Sequence, residues 1–357
     1  MSHARPVMIM AGGTGGHIFP GLAVAEVLRR RAVPVIWLGA RAGLETRLVP
    51  AQGIDLITLP VRGVRGKAWR ARLAAPAMLL HALWCAGTAL RRTRPRCVLA
   101  LGGYAAGPGG LAAFIQRVPL VVHEQNALPG MTNRVLGRLA RRVLCGFPNA
   151  LPGAEWVGNP VRAAIAALPP PAVRLAGRVG PVRILILGGS QGARVLNAAV
   201  PAAIALLLPA ARPAIWHQCG VQGVEATRSA YLDSHIDARV DAFIDGMDQA
   251  YAWADLVVCR AGALTLAELA AAGLPAILVP YPHAVDDHQT RNAQVLVQAG
   301  AALLKAEHAL EPKELARELS ALLSDPCRRM AMAEAARSLV RMDAAERIAD
   351  VCMEVAA

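Results

Sequence analysis

A strand, a glycine-rich turn and a helix follow one another twice in this chain, and no other feature restricts its fold as much. The first copy runs from the apolar strand Val7-Met8-Ile9-Met10 through Ala11-Gly12-Gly13-Thr14-Gly15-Gly16-His17 into a helix patterned by Leu22 to Leu28. The second runs from Arg183–Leu187 through Gly188-Gly189-Ser190-Gln191-Gly192 into a helix-like stretch from Leu196 to Leu208. Glycine at such a turn lets the backbone approach a ligand, and the helix N–H groups that follow suit a phosphate or a sugar oxygen. No phosphate-loop lysine follows either turn, which speaks against a P-loop NTPase. The 357 residues leave room for two domains. Strands alternating with helices in both halves predict an α/β fold of doubly wound parallel sheets with right-handed crossovers.

Further strands are expected at 35–38, 54–59, 97–101, 120–122 and 143–145, with helices at 22–28, 44–51, 111–116 and 131–140. In the second half the expected strands are 184–187, 214–218, 239–243, 256–259, 276–279 and 301–304. Pro169-Pro170-Pro171 up to Pro181 reads as a linker rich in Pro and Gly. The last helical stretch, 326–355, starts on Pro326, breaks near Asp343 and is expected to cross back to the first domain. The expected division is therefore an N-terminal domain, 1–162, completed by a helix at about 341–357, and a C-terminal domain, 163–340.

Although 55% of the residues are apolar, charges, Gly or Pro interrupt every long run, so no spanning helix is expected. Val7–Met10 is too short for a signal peptide and runs straight into the glycine turn. The seven cysteines form no CxxC pair, which implies free thiols in a reducing compartment and no zinc site. A net charge of +13 calls for an anionic partner: nucleic acid, phosphate or an acidic membrane surface. With aromatics at only 4%, a single-stranded nucleic-acid stacking platform is disfavoured. The basic residues gather around one apolar run. Arg62, Arg65, Lys67, Arg70 and Arg72 precede Leu73 to Leu90, and Arg91, Arg92, Arg94 and Arg96 follow it. Two readings stand: a core helix with solvated basic ends, or an interfacial patch of Met78, Leu79, Leu80, Leu83 and Trp84 on anionic lipid.

Three polar clusters are candidates for chemistry. His17, at the end of the first glycine turn, is either structural or a general base near neutral pH. In Arg260-Ala261-Gly262-Ala263-Leu264-Thr265-Leu266-Ala267-Glu268, Thr265 and Glu268 have capping-box spacing. The same stretch could instead place a diphosphate on a helix N-terminus and a ribose on the Glu268 carboxylate. Pro282 to Asn292 contains Asp, His, Gln and Asn without a clean metal-ligand spacing, which favours hydrogen bonds to sugar hydroxyls over a metal site. His123-Glu124-Gln125-Asn126 ends a strand where parallel sheets bind ligands.

Taken in order, Ala11-Gly-Gly-Thr-Gly-Gly-His17, Gly102-Gly-Tyr104 with Gly107-Pro-Gly-Gly110, His123-Glu-Gln-Asn126, Gly158-Asn-Pro-Val-Arg162, Gly188-Gly-Ser-Gln-Gly192, Gly262-Ala-Leu-Thr265 with Glu268, and Asp287-His-Gln289 with Asn292 form a specific set. Over nearly its whole length the chain resembles the MurG family, the UDP-N-acetylglucosamine:lipid I N-acetylglucosaminyltransferases of peptidoglycan synthesis. The resemblance implies a GT-B architecture of two Rossmann-like domains facing across a cleft, with no cofactor and no metal. It implies UDP-N-acetylglucosamine as donor, with the uracil near Ile244 and Arg162, the ribose on Glu268, and the diphosphate near Ser190 and the run Ala263, Leu264, Thr265, Leu266, Ala267. Gln289, Asn292 and Asn126 would touch the sugar. Lipid I would be the acceptor, at the first domain's glycine loops with Thr14, Gly15 and Gly16. Inverting transfer would then use His17 as base and yield lipid II and UDP. The resemblance further implies a peripheral enzyme on the cytoplasmic face of the inner membrane, held by an anionic surface, working among other cell-wall and division proteins and binding no nucleic acid. A UDP-N-acetylglucosamine 2-epimerase would share the architecture. A non-catalytic nucleic-acid binder would account for the charge alone.

Overall fold

The computed structural model describes residues 5–61, 75–189 and 192–356. Arg62, Arg65, Lys67, Arg70, Arg72 and Leu73 of the basic-apolar segment, and Ser190 of the second glycine turn, lie outside the described residues. The chain divides into two compact units, 1–161 with 341–357, and 162–340.

In the first unit the elements run β1 (Val7–Ala11), α1 (Gly15–Arg30), β2 (Val35–Ala40), α2 (Glu45–Leu48), β3 (Asp55–Leu59), α3 (Ala75–Thr93), β4 (Cys97–Gly102), α4 (Ala106–Ile115), β5 (Leu120–Glu124), α5 (Met131–Gly137), β6 (Arg142–Cys145) and β7 (Glu155–Trp156). The strands form one parallel sheet in the order β3-β2-β1-β4-β5-β6-β7, with the switch of direction beside β1. Because side chains alternate along a strand, β1 feeds two cores. Val7, Ile9 and Ala11 pack with α1 and the C-terminal helix Ala344–Glu354, while Met8 and Met10 pack with α3 and α4.

Two helices begin earlier than their composition suggests. α1 starts at Gly15, so Thr14 is its N-cap and Gly15, Gly16 and His17 form its first turn. The segment Gly107-Pro108-Gly109-Gly110 reads as loop but lies inside α4. The glycines are there for packing: a Cβ on Gly109 would sit 2.5 Å from Met10 Sδ, and one on Gly110 2.6 Å from Leu136 Cδ1. Close approach of α4 to the sheet at Gly109 and to α5 at Gly110 outweighs the cost of about 1 kcal/mol per helical glycine.

In the second unit the elements are α6 (Ala163–Ala166), α7 (Pro171–Arg174), β8 (Arg183–Leu187), α8 (Arg194–Ala205), β9 (Ala214–Gln218), α9 (Val224–Asp233), β10 (Arg239–Asp241), α10 (Met247–Trp253), β11 (Leu256–Cys259), α11 (Ala263–Ala272), β12 (Ala276–Leu278), α12 (His288–Gln298), β13 (Ala302–Leu304), α13 (Pro312–Leu323) and α14 (Pro326–Ser338). Its six parallel strands run β10-β9-β8-β11-β12-β13. The expected linker at 169–181 is instead integral to this unit. Arg174, at the end of α7, donates to the carbonyls of Ala254 and Gly273, both at 3.0 Å, and Arg178, in the turn beyond α7, donates to Trp253 O at 2.7 Å and pairs with Asp255 at 2.5 Å. Two arginines thereby satisfy helix-end carbonyls that would otherwise lack partners. Proline and glycine here mark tight turns around those side chains.

Candidate active site

At the C-terminal ends of β1 and β5, the first unit assembles a polar cluster around His17. Its imidazole Nδ1 lies 2.8 Å from Gln125 Oε1. The ring lies against Gly102, whose φ of +111° suits glycine and where a Cβ would fall 2.9 Å from His17 Cε1. Behind it, Gln125 Nε2 lies 2.9 Å from the His123 carbonyl and 3.1 Å from His123 Nδ1, and His123 Nε2 lies 2.9 Å from the Gly158 carbonyl. His123 is fully buried, and burial pulls its pKa down to about 4, so the ring is neutral at neutral pH.

Glu124, next in sequence, is also buried, but all its capacity is used. Oε1 accepts from the Asn126 N–H at 2.8 Å and Asn126 Nδ2 at 3.1 Å, and Oε2 accepts from the Gly130 N–H at 3.1 Å and Asn133 Nδ2 at 2.9 Å. It shapes the loop that carries Asn126. One organising residue was missed. Glu45, fully buried in α2, accepts from the Gly13 N–H at 3.0 Å and the Ala40 N–H at 2.9 Å, and so holds the first glycine turn in place. A carboxylate three residues past Arg41-Ala42, among glycines, was the available signal; it read only as the start of a helix.

In the second unit, α11 begins at Ala263 with Gly262 as N-cap. The capping-box reading of Thr265 and Glu268 is therefore overturned: Thr265 is already inside the helix, and no side chain caps it. The helical ladder starts with the Leu266 N–H on Gly262 O at 3.0 Å, leaving the N–H groups of Ala263, Leu264 and Thr265 ahead of it. An N-terminus of this kind attracts an anion. Leu266 is fully buried, and with its N–H already bonded to Gly262 O it lies behind those open N–H groups. Glu268, one turn further, takes Arg162 Nε at 2.9 Å and Nη2 at 2.8 Å on Oε1, and the Tyr251 hydroxyl at 3.1 Å on Oε2. Burial raises the Glu268 pKa, and Arg162 opposes that shift; burial likewise raises the Tyr251 hydroxyl, which stays a donor. The Glu268 side chain is 13% exposed and that of Arg162 42%.

The remaining candidates are spread around these two centres. Gln218 accepts from the Gly189 N–H at 3.1 Å and donates to the carbonyls of Gly189 and Ala242, which ties the second glycine turn to the segment carrying Ile244, itself buried. Gln289 Oε1 accepts from the Tyr281 N–H at 2.9 Å, ahead of α12. Asn292 is fully buried in α12, with Nδ2 3.4 Å from Ala261 O on the approach to α11. Among the described residues, no three His, Cys, Asp or Glu side chains converge as a metal-ligand set.

On α3 the buried face is built of small residues, Ala82, Ala86 and Ala89 with Leu90. Its large side chains point out: Leu79 is 49% exposed, Leu80 67% and Trp84 65%, with His81 stacked on Trp84. Met78 and Leu83 are half-buried. α4 and α5 continue the outward apolar surface with Phe114, Ile115, Met131 and Val135.

The Glycosyltransferase family 28 N-terminal domain matches residues 7–145, and the Glycosyltransferase family 28 C-terminal domain matches residues 183–348. A UDP-N-acetylglucosamine--N-acetylmuramyl-(pentapeptide) pyrophosphoryl-undecaprenol N-acetylglucosamine transferase of Xylella fastidiosa (strain M12) is 58% identical over 99% of this chain and 97% of its own length. The transferase of the same name from Xanthomonas campestris pv. campestris (strain B100) is 59% identical over 99% of this chain and 82% of its own. Among solved structures, that of Acinetobacter baumannii MurG superposes with a TM-score of 0.87 at 39% identity, covering 98% of this chain and 99% of that one.

Proposed function

The chain belongs to glycosyltransferase family 28, and on that premise we propose a residue-level route for its reaction. It is a UDP-sugar-dependent transferase with the GT-B fold: it moves N-acetylglucosamine from UDP-N-acetylglucosamine to lipid I and forms lipid II and UDP. The donor binds on the second unit. Its diphosphate meets the N–H groups of Ala263, Leu264 and Thr265 with Ser190, its ribose hydroxyls donate to Glu268, and its uracil lies by Ile244. Arg162 occupies Glu268 until then; as a half-exposed side chain it can turn away at little desolvation cost and stay within reach of the donor. Gln289, Asn292 and Asn126 hold the sugar.

The acceptor lies at Thr14, Gly15 and Gly16. His17 takes the proton of the acceptor hydroxyl as its oxygen attacks C1 of the donor sugar from the face opposite the diphosphate. The C1–O bond breaks with its electron pair leaving on UDP, and the configuration inverts. The developing charge on UDP is met by helix N-terminal N–H groups already aimed at it. What carries this reading is the uncapped α11 N-terminus with Glu268 one turn behind it. The test is turnover with UDP-N-acetylglucosamine and a short-chain lipid I analogue. The expected products are UDP and a β-linked disaccharide, with no change to the donor when the acceptor is omitted. Epimerised donor in that omission arm would sink the reading.

The acceptor's polyprenyl chain stays in a bilayer, and no described helix is long and apolar enough to cross one. We place the protein peripherally on the cytoplasmic face of the inner membrane, with Met78, Leu79, Leu80, Leu83 and Trp84 at the lipid and Arg91, Arg92 and Arg94 beside them. Each basic residue near an anionic leaflet adds about 1 kcal/mol, and each inserted apolar side chain about 1.5–3 kcal/mol if fully buried. Co-sedimentation with anionic vesicles should be strong, weakened by salt, and weakened further by Leu80→Glu or Trp84→Glu. Equal binding to neutral vesicles would remove the electrostatic half.

A further inference from the structure

Taking His17 as the base, we propose that His123 and Gln125 are positioning residues that set its tautomer, leaving the Nε2 lone pair free to receive the acceptor's proton. The assignment follows from two backbone carbonyls, which can only accept. Gln125 Nε2 lies 2.9 Å from His123 O, so this atom is the amide NH2 and not its oxygen. The amide cannot flip without setting oxygen against oxygen. Gln125 Oε1 therefore faces His17 Nδ1 at 2.8 Å, and that nitrogen must carry a proton. In the neutral ring the other nitrogen, Nε2, then has none.

The second carbonyl, Gly158 O, lies 2.9 Å from His123 Nε2 and requires a proton there. A neutral His123 then offers a lone pair at Nδ1, which accepts from Gln125 Nε2 at 3.1 Å. Both hydrogens of the Gln125 amide are thereby used within its own strand end. Gln125 is further held through its carbonyl, which accepts from Asn159 Nδ2 at 2.9 Å. When His17 takes the acceptor proton, both its nitrogens carry hydrogen, and Nδ1–H keeps its bond to Gln125 Oε1. The imidazolium forms without any neighbour changing its role, and the proton afterwards leaves to water.

Two measurements test this. Nitrogen-15 NMR of histidine-labelled protein, assigned with His17→Gln, should show His17 protonated on Nδ1 and bare on Nε2 at neutral pH. A His17 protonated on Nε2 would overturn the proposal whatever the activity. In Gln125→Leu the His17 signals should move to a mixture of tautomers, with kcat at least tenfold lower and donor KM unchanged; a wrong tautomer at a catalytic histidine can cost as much as about 10⁴-fold. An unchanged tautomer and unchanged kcat in that variant would also overturn it. Should His17→Gln itself keep a near-normal kcat, His17 is not the base and the prior reading fails, while the NMR result still stands or falls by itself.

Discussion

Each unit buries a neutral histidine beside an amide side chain, and the two arrangements end differently. In the second unit, Asn197 Nδ2 donates to the Cys219 carbonyl at 3.0 Å, so its oxygen faces His217 Nε2 at 3.1 Å and accepts the hydrogen bond of that ring N–H. His217 Nδ1 then accepts from the Tyr231 hydroxyl at 3.0 Å. His217 and Tyr231 are buried, the half-buried Asn197 has both ends of its amide bonded inside that chain, and burial pulls the His217 pKa down to about 3. In the first unit the same logic of carbonyl, amide and ring runs from Gly158 through His123 and Gln125, but it surfaces at His17, which is half-buried. A satisfied buried histidine is by itself only a brace. It becomes part of a reaction when the chain of hydrogen bonds reaches a ring with one nitrogen left over.

The hardest blow to this contrast comes from His17→Ala, which should lower kcat by roughly 10²–10⁴-fold with donor KM nearly unmoved. Near-normal turnover would make both networks equally structural. Glu124 would be a poor substitute, since four donors already occupy it.

Acid should then reveal what the two histidines share. Both have folded pKa values below the ordinary one, so the unfolded chain binds more protons and stability falls as the pH drops from about 6.5 toward 4 for His123 and 3 for His217. Within that window each should remove roughly 1.4 kcal/mol per pH unit. Urea titrations at pH 7, 6 and 5 would measure it, and a flat profile would mean that neither ring stays neutral in the fold.

In the second unit the side chain expected to meet substrate is Glu268. Glu268→Gln should raise donor KM by an order of magnitude or more, the loss of a charge-assisted contact of about 1.5–3 kcal/mol. Thermal stability should not fall with it near neutral pH: the raised Glu268 pKa means that the folded state holds its proton more tightly, so ionisation works against folding as the pH rises. A lowered melting temperature with normal donor KM would make Glu268 a structural residue. The smallest effect separates the two histidines directly. His123→Phe and His217→Phe should both lose stability, but only the first should also lose about tenfold or more in kcat, through the tautomer of His17.

The sheets were readable from the sequence because parallel strands buried on both faces are continuous apolar runs, as at Ile184–Leu187 and Cys97–Leu101. The turns were readable because glycine is costly elsewhere. The same cue misled at Gly107–Gly110, where glycine serves close packing inside α4. It misled again at 169–181, where a segment of linker composition is held by Arg174 and Arg178. At Thr265 and Glu268 the local spacing suited a cap, but partners far along the chain, Arg162 and Tyr251, claim the carboxylate. His17 could be picked out for its place after the glycines. Gln125, 108 residues away, could not be tied to it, since spacing carries no information about contacts across a sheet.

The C-terminal helix Ala344–Glu354 has a consequence for how the protein is made. Its Ile348, Ala349, Val351 and Cys352 are fully buried in the same core as Val7, Ile9 and Leu28. Residues 162–340 form a unit of their own in between. During synthesis from the N-terminus, the second unit can therefore finish folding while the first still exposes the side of its sheet that this helix will cover. The unit begun first is completed last. A nascent chain stalled or cut after residue 340 would carry a finished second unit and a first unit with open apolar surface, the form in which a chaperone would be needed.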